Sequence, residues 1–215
     1  MSYKAAIFDM DGTILNTLED LHVATNVALR KNKLPERTID EVRQFVGNGI
    51  RKLIERAVPA GSSEELIKTV HADFSAYYHE HDTDATAPYP GIPQTIRILK
   101  AQGVKTAVVS NKADYGVQDL VKEFFPDLFD VAIGETDGVA KKPAPDMVLK
   151  ALSVLGIQKS DAVYIGDSDV DFATAANSGL NFIGCSWGFK GRNFLENLGA
   201  KTIVDSAEKL VELIV

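Results

Sequence analysis

Short, unbroken apolar runs recur along this chain: "KAAIFD", "KTAVVSN", "FDVAIG", "DAVYIGD" and "NFIGC". A strand with one wet face alternates apolar and polar residues, whereas continuous apolarity suits a strand covered on both faces. Helical patterns such as "PDMVLKALSVLG" and "DFATAANSG" separate the later runs. That β-α-β-α order restricts the chain to an α/β fold, a doubly wound and mainly parallel sheet with helices on both sides. With 215 residues, 45% of them hydrophobic, there is core enough for one domain with an insertion or for two small domains.

The rhythm fails between residues 15 and 83. No strand pattern is present there, and three capping-box patterns open helices instead: Thr17 with Asp20, Thr38 with Glu41, and Ser62 with Glu65. After the third, Leu66, Ile67, Val70, Phe74, Tyr77 and Tyr78 recur at helical spacing. An all-helical block just after the first strand reads as an inserted cap, 15–83, leaving 1–14 and 84–215 as the α/β core. The segment "DTDATAPYPG", 82–91, has the turn composition of a return linker.

Charge narrows the partners. The 23 basic and 30 acidic residues give −7, which argues against nucleic acid or an anionic membrane surface as the main partner and leaves room for a small anion. No apolar run reaches the roughly 18 residues of a membrane span. The N-terminus enters a strand at once, without a leader, so the expected location is the cytoplasm. The single cysteine, Cys185, cannot form an internal disulfide and reads as a small apolar filler beside a strand end.

Ligands of open α/β sheets sit beyond the carboxyl ends of the strands, so the residues ending each apolar run carry the chemistry. The first run ends in Asp9 and Asp11, which a continuing strand would point to the same side. Two such charges about 4 Å apart repel by roughly 4 kcal/mol at an effective dielectric near 20, so a cation or a shared proton is required. "TAVVSNK" ends in Ser110, Asn111 and Lys112, "FDVAIG" leads to Lys141 and Lys142, and "AVYIGDSDVD" supplies Asp167, Asp169 and Asp171. Oxygen-only ligands without Cys or His fit Mg²⁺ far better than Zn²⁺. A carboxylate nucleophile, a hydroxyl donor, a lysine and Mg²⁺ are the parts of a phosphoryl-transfer site.

"DMDGT", "SN", "KKPAP" and "GDSDVD", in that order, resemble the motifs of the haloacid dehalogenase superfamily of phosphatases. The helical insertion after the first motif, with "FVGNGIRKLIERAV" and "GCSWGFKGRNFLENLGA", is similar to its phosphoglycolate phosphatase branch. The resemblance implies that Asp9 is the nucleophile, forming an aspartyl phosphate, and that Asp11 is the general acid and then base. It implies Mg²⁺ held by Asp9, the backbone carbonyl of Asp11, and Asp167, with Asp171 supporting from behind. Ser110 would donate to a phosphoryl oxygen, Thr13 and Asn111 would touch the phosphate, and Lys142, directly before Pro143, would neutralise Asp9. The family often has an acid where this chain has Asn16. The substrate implied is a small phosphorylated metabolite, 2-phosphoglycolate first, with cap closure excluding bulk water.

Other readings of the same residues remain open at this stage. A sugar-phosphate mutase like β-phosphoglucomutase, a pyrophosphatase or a promiscuous sugar phosphatase would share the phosphoaspartate. A dehalogenase would need no metal and no Asp11, and a signalling module would keep its phosphate as a switch. Ser110 and Asn111 could cap the following helix, and Asp169 reads as a helix N-terminal charge. "VGNGIR", 46–51, lacks the strand-to-helix setting of a phosphate loop and reads as a break between helices. Its functional reading gives Gly47, Asn48, Gly49 and Arg51 to a substrate carboxylate. His79 and His81 read as a solvated face, and nothing in the sequence speaks to oligomeric state.

Overall fold

The structure, a computed structural model, describes residues 2–215. The chain begins with β1 (Ala5–Phe8) and β2 (Leu15–Asn16). Helices α1 (Leu18–Lys31), α2 (Ile39–Phe45), α3 (Ile50–Ala57) and α4 (Glu64–His81) follow, and then β3 (Ala87–Pro88). It then alternates through α5 (Ile92–Ala101), β4 (Lys105–Ala113), α6 (Asp114–Phe124), β5 (Val131–Glu135) and α7 (Asp146–Leu155). The last part runs β6 (Ala162–Gly166), α8 (Asp169–Ser178), β7 (Asn181–Cys185), α9 (Arg192–Asn197), β8 (Ile203–Val204) and α10 (Glu208–Ile214). Two compact units result: Met1–Leu15 with Pro88–Val215, and Asn16–Ala87.

The first unit is built on a six-stranded sheet in the order β5-β4-β1-β6-β7-β8, with every ladder parallel. Ile7 of β1 lies in register between Ala107 of β4 and Tyr164 of β6. Alternate side chains feed two apolar layers. Ala6, Phe8, Val108, Val163 and Ile165 meet Ile96, Val117 and Leu210 from α5, α6 and α10 on one side. Ala5, Ile7, Ala107, Val109 and Tyr164 meet Met147, Ala151 and Ala175 from α7 and α8 on the other. Each fully buried aliphatic or aromatic side chain contributes roughly 1.5–3 kcal/mol relative to exposure, so this double burial dictates the fold. The strand centres are thereby committed to packing, and the chemistry is left to the strand ends. β1 is the pivot: the chain passes to β4 and β5 on one flank and to β6, β7 and β8 on the other. The carboxyl ends of β1, β4 and β6 therefore border the point where the strand order reverses, the usual ligand crevice of such sheets.

The second unit is helical. α1 buries Leu21, Ala24, Ala28 and Leu29, and α4 buries Val70, Phe74 and Tyr78. Its caps correct two of the three sequence expectations. Thr38 and Glu41 do form a capping box at α2. Thr17 makes no side-chain cap bond at α1. Asp20 instead accepts from the backbone N–H groups of Ala85, at 2.9 Å, and Thr86, at 2.8 Å. Two backbone donors outcompete the one a capping box would offer. At α4 the cap is Ser63, which accepts from Leu66 N–H, while Ser62 donates to the Pro59 carbonyl. The strandless reading of 15–83 also misses β2, which with β3 in the return linker forms a two-stranded ribbon. Two residues are too few to show a period. Among the described residues no helix is long and apolar enough to cross a membrane.

Candidate active site

Asp9 leaves β1 still bonded to the sheet, its N–H donating to the Ile165 carbonyl at 2.9 Å. Met10 then turns into the apolar layer, fully buried, and Gly12 takes φ +87°. A Cβ on Gly12 would stand 2.6 Å from the Asp167 carboxylate, so only glycine fits the turn. Asp11 therefore lies in the turn rather than on a strand face. It is half-buried, with its backbone bridged to Leu15. Asp9 is 7% exposed.

Lys142 is the cation that answers Asp9. Its Nζ lies 2.6 Å from Asp9 Oδ1, 2.8 Å from Asp171 Oδ1 and 3.1 Å from the Tyr164 hydroxyl. Three donors meet three acceptors, so the buried ammonium is fully satisfied. Lys141, by contrast, is half-buried and pairs with Glu135 at 3.2 Å. Asn111 holds the lysine in place through its backbone: the side-chain amide donates to the Lys142 carbonyl at 3.0 Å, and the side-chain oxygen accepts the Lys142 N–H at 2.8 Å. Both ends of the Asn111 amide are thus engaged by protein, where the sequence expectation was contact with phosphate.

Asp167 and Asp171 follow β6. Asp171 Oδ2 accepts from the Ser168 hydroxyl at 2.6 Å and from the backbone N–H groups of Asp167 and Ser168. Ser168 and Asp171 form a capping box at α8, and Asp169 takes the first helical position. The spacing that makes no cap as T-x-x-D at Thr17 makes a true capping box as S-x-x-D here. Asp171 is fully buried, and its carboxylate serves to orient Lys142 and the helix start. Asp167 Oδ2 accepts from the Phe189 N–H at 2.7 Å, and Oδ1 faces the Thr13 hydroxyl at 3.5 Å. Ser110 is buried in β4, where the ladder to β5 shifts register between Val109 and Ala113. The bulge breaks the regular ladder beside the site. Ser110 Oγ accepts from the Lys112 N–H at 3.2 Å, and neither Ser110 nor Asn111 caps α6, whose N-cap is Ala113.

Three expected residues come together in one acidic cluster: single oxygens of Asp9, Asp167 and Asp171 lie within 4.8 Å of one another. Burial first, and then the Asp171 charge, lifts the Asp9 carboxyl well above the carboxylate range. The same two causes push Asp167 up to about 7. Burial opposes the charged form of Lys142, but Asp171 and Asp9 outweigh it and hold its pKa well above the lysine range. One lysine among three carboxylates leaves an anionic excess, and the donors are all oxygen. That combination fits a hard divalent ion such as Mg²⁺.

Gly47, Asn48, Gly49 and Arg51 belong to the helical unit. Val46–Gly49 separates α2 from α3, with Gly47 and Gly49 at φ +119° and +85°. Asn48 Oδ1 accepts from Arg56 at 2.8 Å, and Arg51 pairs with Glu64 at 2.5 Å and Glu55 at 3.0 Å. Asn16, exposed, accepts from the Leu18 N–H at 3.4 Å. His81 stacks on Tyr77 and bonds Asp84 at 2.8 Å. Tyr164 was missed by sequence reasoning because a tyrosine in an apolar strand reads as core. Its fully buried hydroxyl, 3.2 Å from Asp171, belongs to the polar network.

The model of haloacid dehalogenase-like hydrolases matches residues 6–185 of this chain. The phosphoglycolate phosphatase of Aquifex aeolicus is 33% identical over 86% of this chain and 86% of its own length. That of Psychrobacter arcticus is 33% identical over 99% and 96%. A crystal structure from Lactobacillus delbrueckii subsp. bulgaricus superposes with a TM-score of 0.95 at 40% identity, over 100% of this chain and 99% of that one. A CbbY variant from Rhodobacter sphaeroides, solved with xylulose-(1,5)bisphosphate, has a TM-score of 0.76 at 26% identity, over 97% and 96%.

Proposed function

This chain belongs to the haloacid dehalogenase-like hydrolases, and from that premise we propose that it is a Mg²⁺-dependent phosphatase of small phosphomonoesters, with 2-phosphoglycolate the favoured substrate. The observation that carries the reading is the buried Lys142 ammonium, bonded at once to Asp9 and Asp171 beside Asp167. A lysine there steadies an attacking carboxylate and draws charge from a transferring phosphoryl group.

In the proposed reaction an Asp9 oxygen attacks phosphorus as the bond to the leaving alkoxide breaks, and the Asp11 carboxylic acid gives that alkoxide its proton. Asp11, now ionised, takes a proton from water, and the water oxygen attacks the aspartyl phosphate. The Asp9 carboxylate and inorganic phosphate are released. The split replaces one difficult hydrolysis by two easier transfers. Ser110 is the proposed donor to a phosphoryl oxygen, and Asp171 keeps Lys142 directed at Asp9. Asp9, Asp167 and the Asp11 carbonyl would hold Mg²⁺, which would supply charge neutralisation at the phosphoryl oxygens.

A phosphate-release screen over small phosphomonoesters with Mg²⁺, ranked by kcat/KM, is expected to place 2-phosphoglycolate first. A sugar bisphosphate ranking higher would move the assignment toward the ligand seen in CbbY. Asp9→Asn is expected to remove turnover by about a thousandfold or more while the fold is kept. Retained turnover would take away the nucleophile.

A further inference from the structure

We infer that the turn Trp187–Phe189, just past β7, is a positioning element for the divalent ion. It commits one oxygen of Asp167 to the protein and leaves the other for the ion. The inference rests on the proposed reading of Asp167 as an ion ligand. The Phe189 N–H donates to Asp167 Oδ2 at 2.7 Å. Gly188 lies flat against the same side chain: a methyl group there would overlap the Asp167 Cβ and stand 2.5 Å from both Asp167 Oδ2 and the Gly12 carbonyl. The Trp187 indole N–H donates to the Thr13 carbonyl at 3.1 Å. Thr13 in turn sets its hydroxyl 3.5 Å from Asp167 Oδ1. The turn thus grips Asp167 directly through an amide and indirectly through the residue facing its other oxygen.

A free carboxylate can rotate, and an ion must pay to stop it. An amide fixed on one oxygen removes that rotation in advance. Outer partners of this kind typically contribute about tenfold to a hundredfold in metal affinity. The amide also drains basicity from the carboxylate, an opposing effect that predicts tighter binding when it is lost, so the two effects have opposite signs in the same measurement.

The test is calorimetric titration of the full chain with Mg²⁺ alone. Phe189→Pro deletes the N–H, whereas Phe189→Ala keeps it. The proline variant is expected to bind Mg²⁺ at least tenfold more weakly, with the alanine variant indistinguishable from wild type. A folded proline variant that binds as wild type, or more tightly, overturns the inference. If that variant does not fold, Trp187→Phe carries the test. It removes the indole bond, with part of the ring that meets Tyr89, and is expected to weaken Mg²⁺ binding about threefold, and an unchanged Kd overturns the inference equally. Asp167→Asn separates the two levels. If it leaves Mg²⁺ binding unchanged, the proposed ion site itself fails, and this inference with it. If it abolishes binding while the turn variants bind normally, only the turn is refuted.

Discussion

Among the described residues, the two units differ in one respect: the α/β unit holds a buried ion-pair network and the helical unit holds none. In the α/β unit Lys142, Asp9 and Asp171 are sealed together, with side-chain exposures of 2%, 10% and 0%. In the helical unit the ion pairs sit at the surface, as with Arg51 and Glu64 at 38% and 60%. Exposed pairs gain little, because solvent screens them and two flexible side chains must be ordered. A buried network costs desolvation and does not repay it in stability. That cost sets the network at the strand ends apart from the exposed ion pairs of the helical unit. The same residue types mean different things at different depths.

The sharpest way to break this contrast is to delete one cation from each unit. Lys142→Ala strands two carboxylates in the interior and is expected to lower stability by about 3–5 kcal/mol in denaturant titrations, with activity lost. Arg51→Ala is expected to leave stability nearly unchanged. Equal losses would erase the distinction.

A pH series on chelated protein comes next in size. Because the Asp167 carboxyl is raised from 3.8 to about 7 in the fold, the native state binds more protons than the unfolded chain between those values. Stability of the metal-free protein should then fall as pH rises through that window and level off above it. Glu41 and Glu55, lowered from 4.5 by their hydrogen bonds, act with the opposite sign and only at more acidic pH. A Tm lower at pH 8 than at pH 5.5 in chelator, with the gap narrowed by Mg²⁺, is the expected result. A Tm that rises over that interval would mean the buried acids are not raised.

Tyr164→Phe keeps the ring in the core and removes one acceptor from Lys142. A loss near 1 kcal/mol is expected, with kcat reduced severalfold and KM little changed. A change in KM alone would point to substrate contact rather than support of the lysine. The smallest effect should come from a double-mutant cycle on the exposed pair Arg51 and Glu64, with a coupling close to zero.

What the sequence made readable follows the same division. The core strands announce themselves because burial on two faces forces continuous apolarity, and "AAIF" and "AVYIG" are strands in full. Asp9 and Asp167 stand out because charged residues at the ends of such runs are anomalous, and Lys142 because it directly precedes Pro143 in a motif that resembles the family's. Capping patterns were readable only where no better partner existed. Thr38 had none, whereas Asp20 found two backbone donors more than sixty residues away. Tyr164 was hidden by its resemblance to core, and the Phe189 contact was hidden because it is made by a backbone amide, which every residue but proline possesses. Asn111 could be placed at the site but not in its role, since an amide side chain serves a backbone as readily as a ligand.

The ribbon of β2 with β3 has a consequence for how this chain can change over time. Neighbouring strands lie about 5 Å apart, so the helical excursion leaves and rejoins the sheet-bearing unit at nearly one place. To that unit the excursion is a cassette clipped into a single surface position. Insertions between β2 and β3 lengthen that excursion without adding a residue to any strand of the six-stranded sheet.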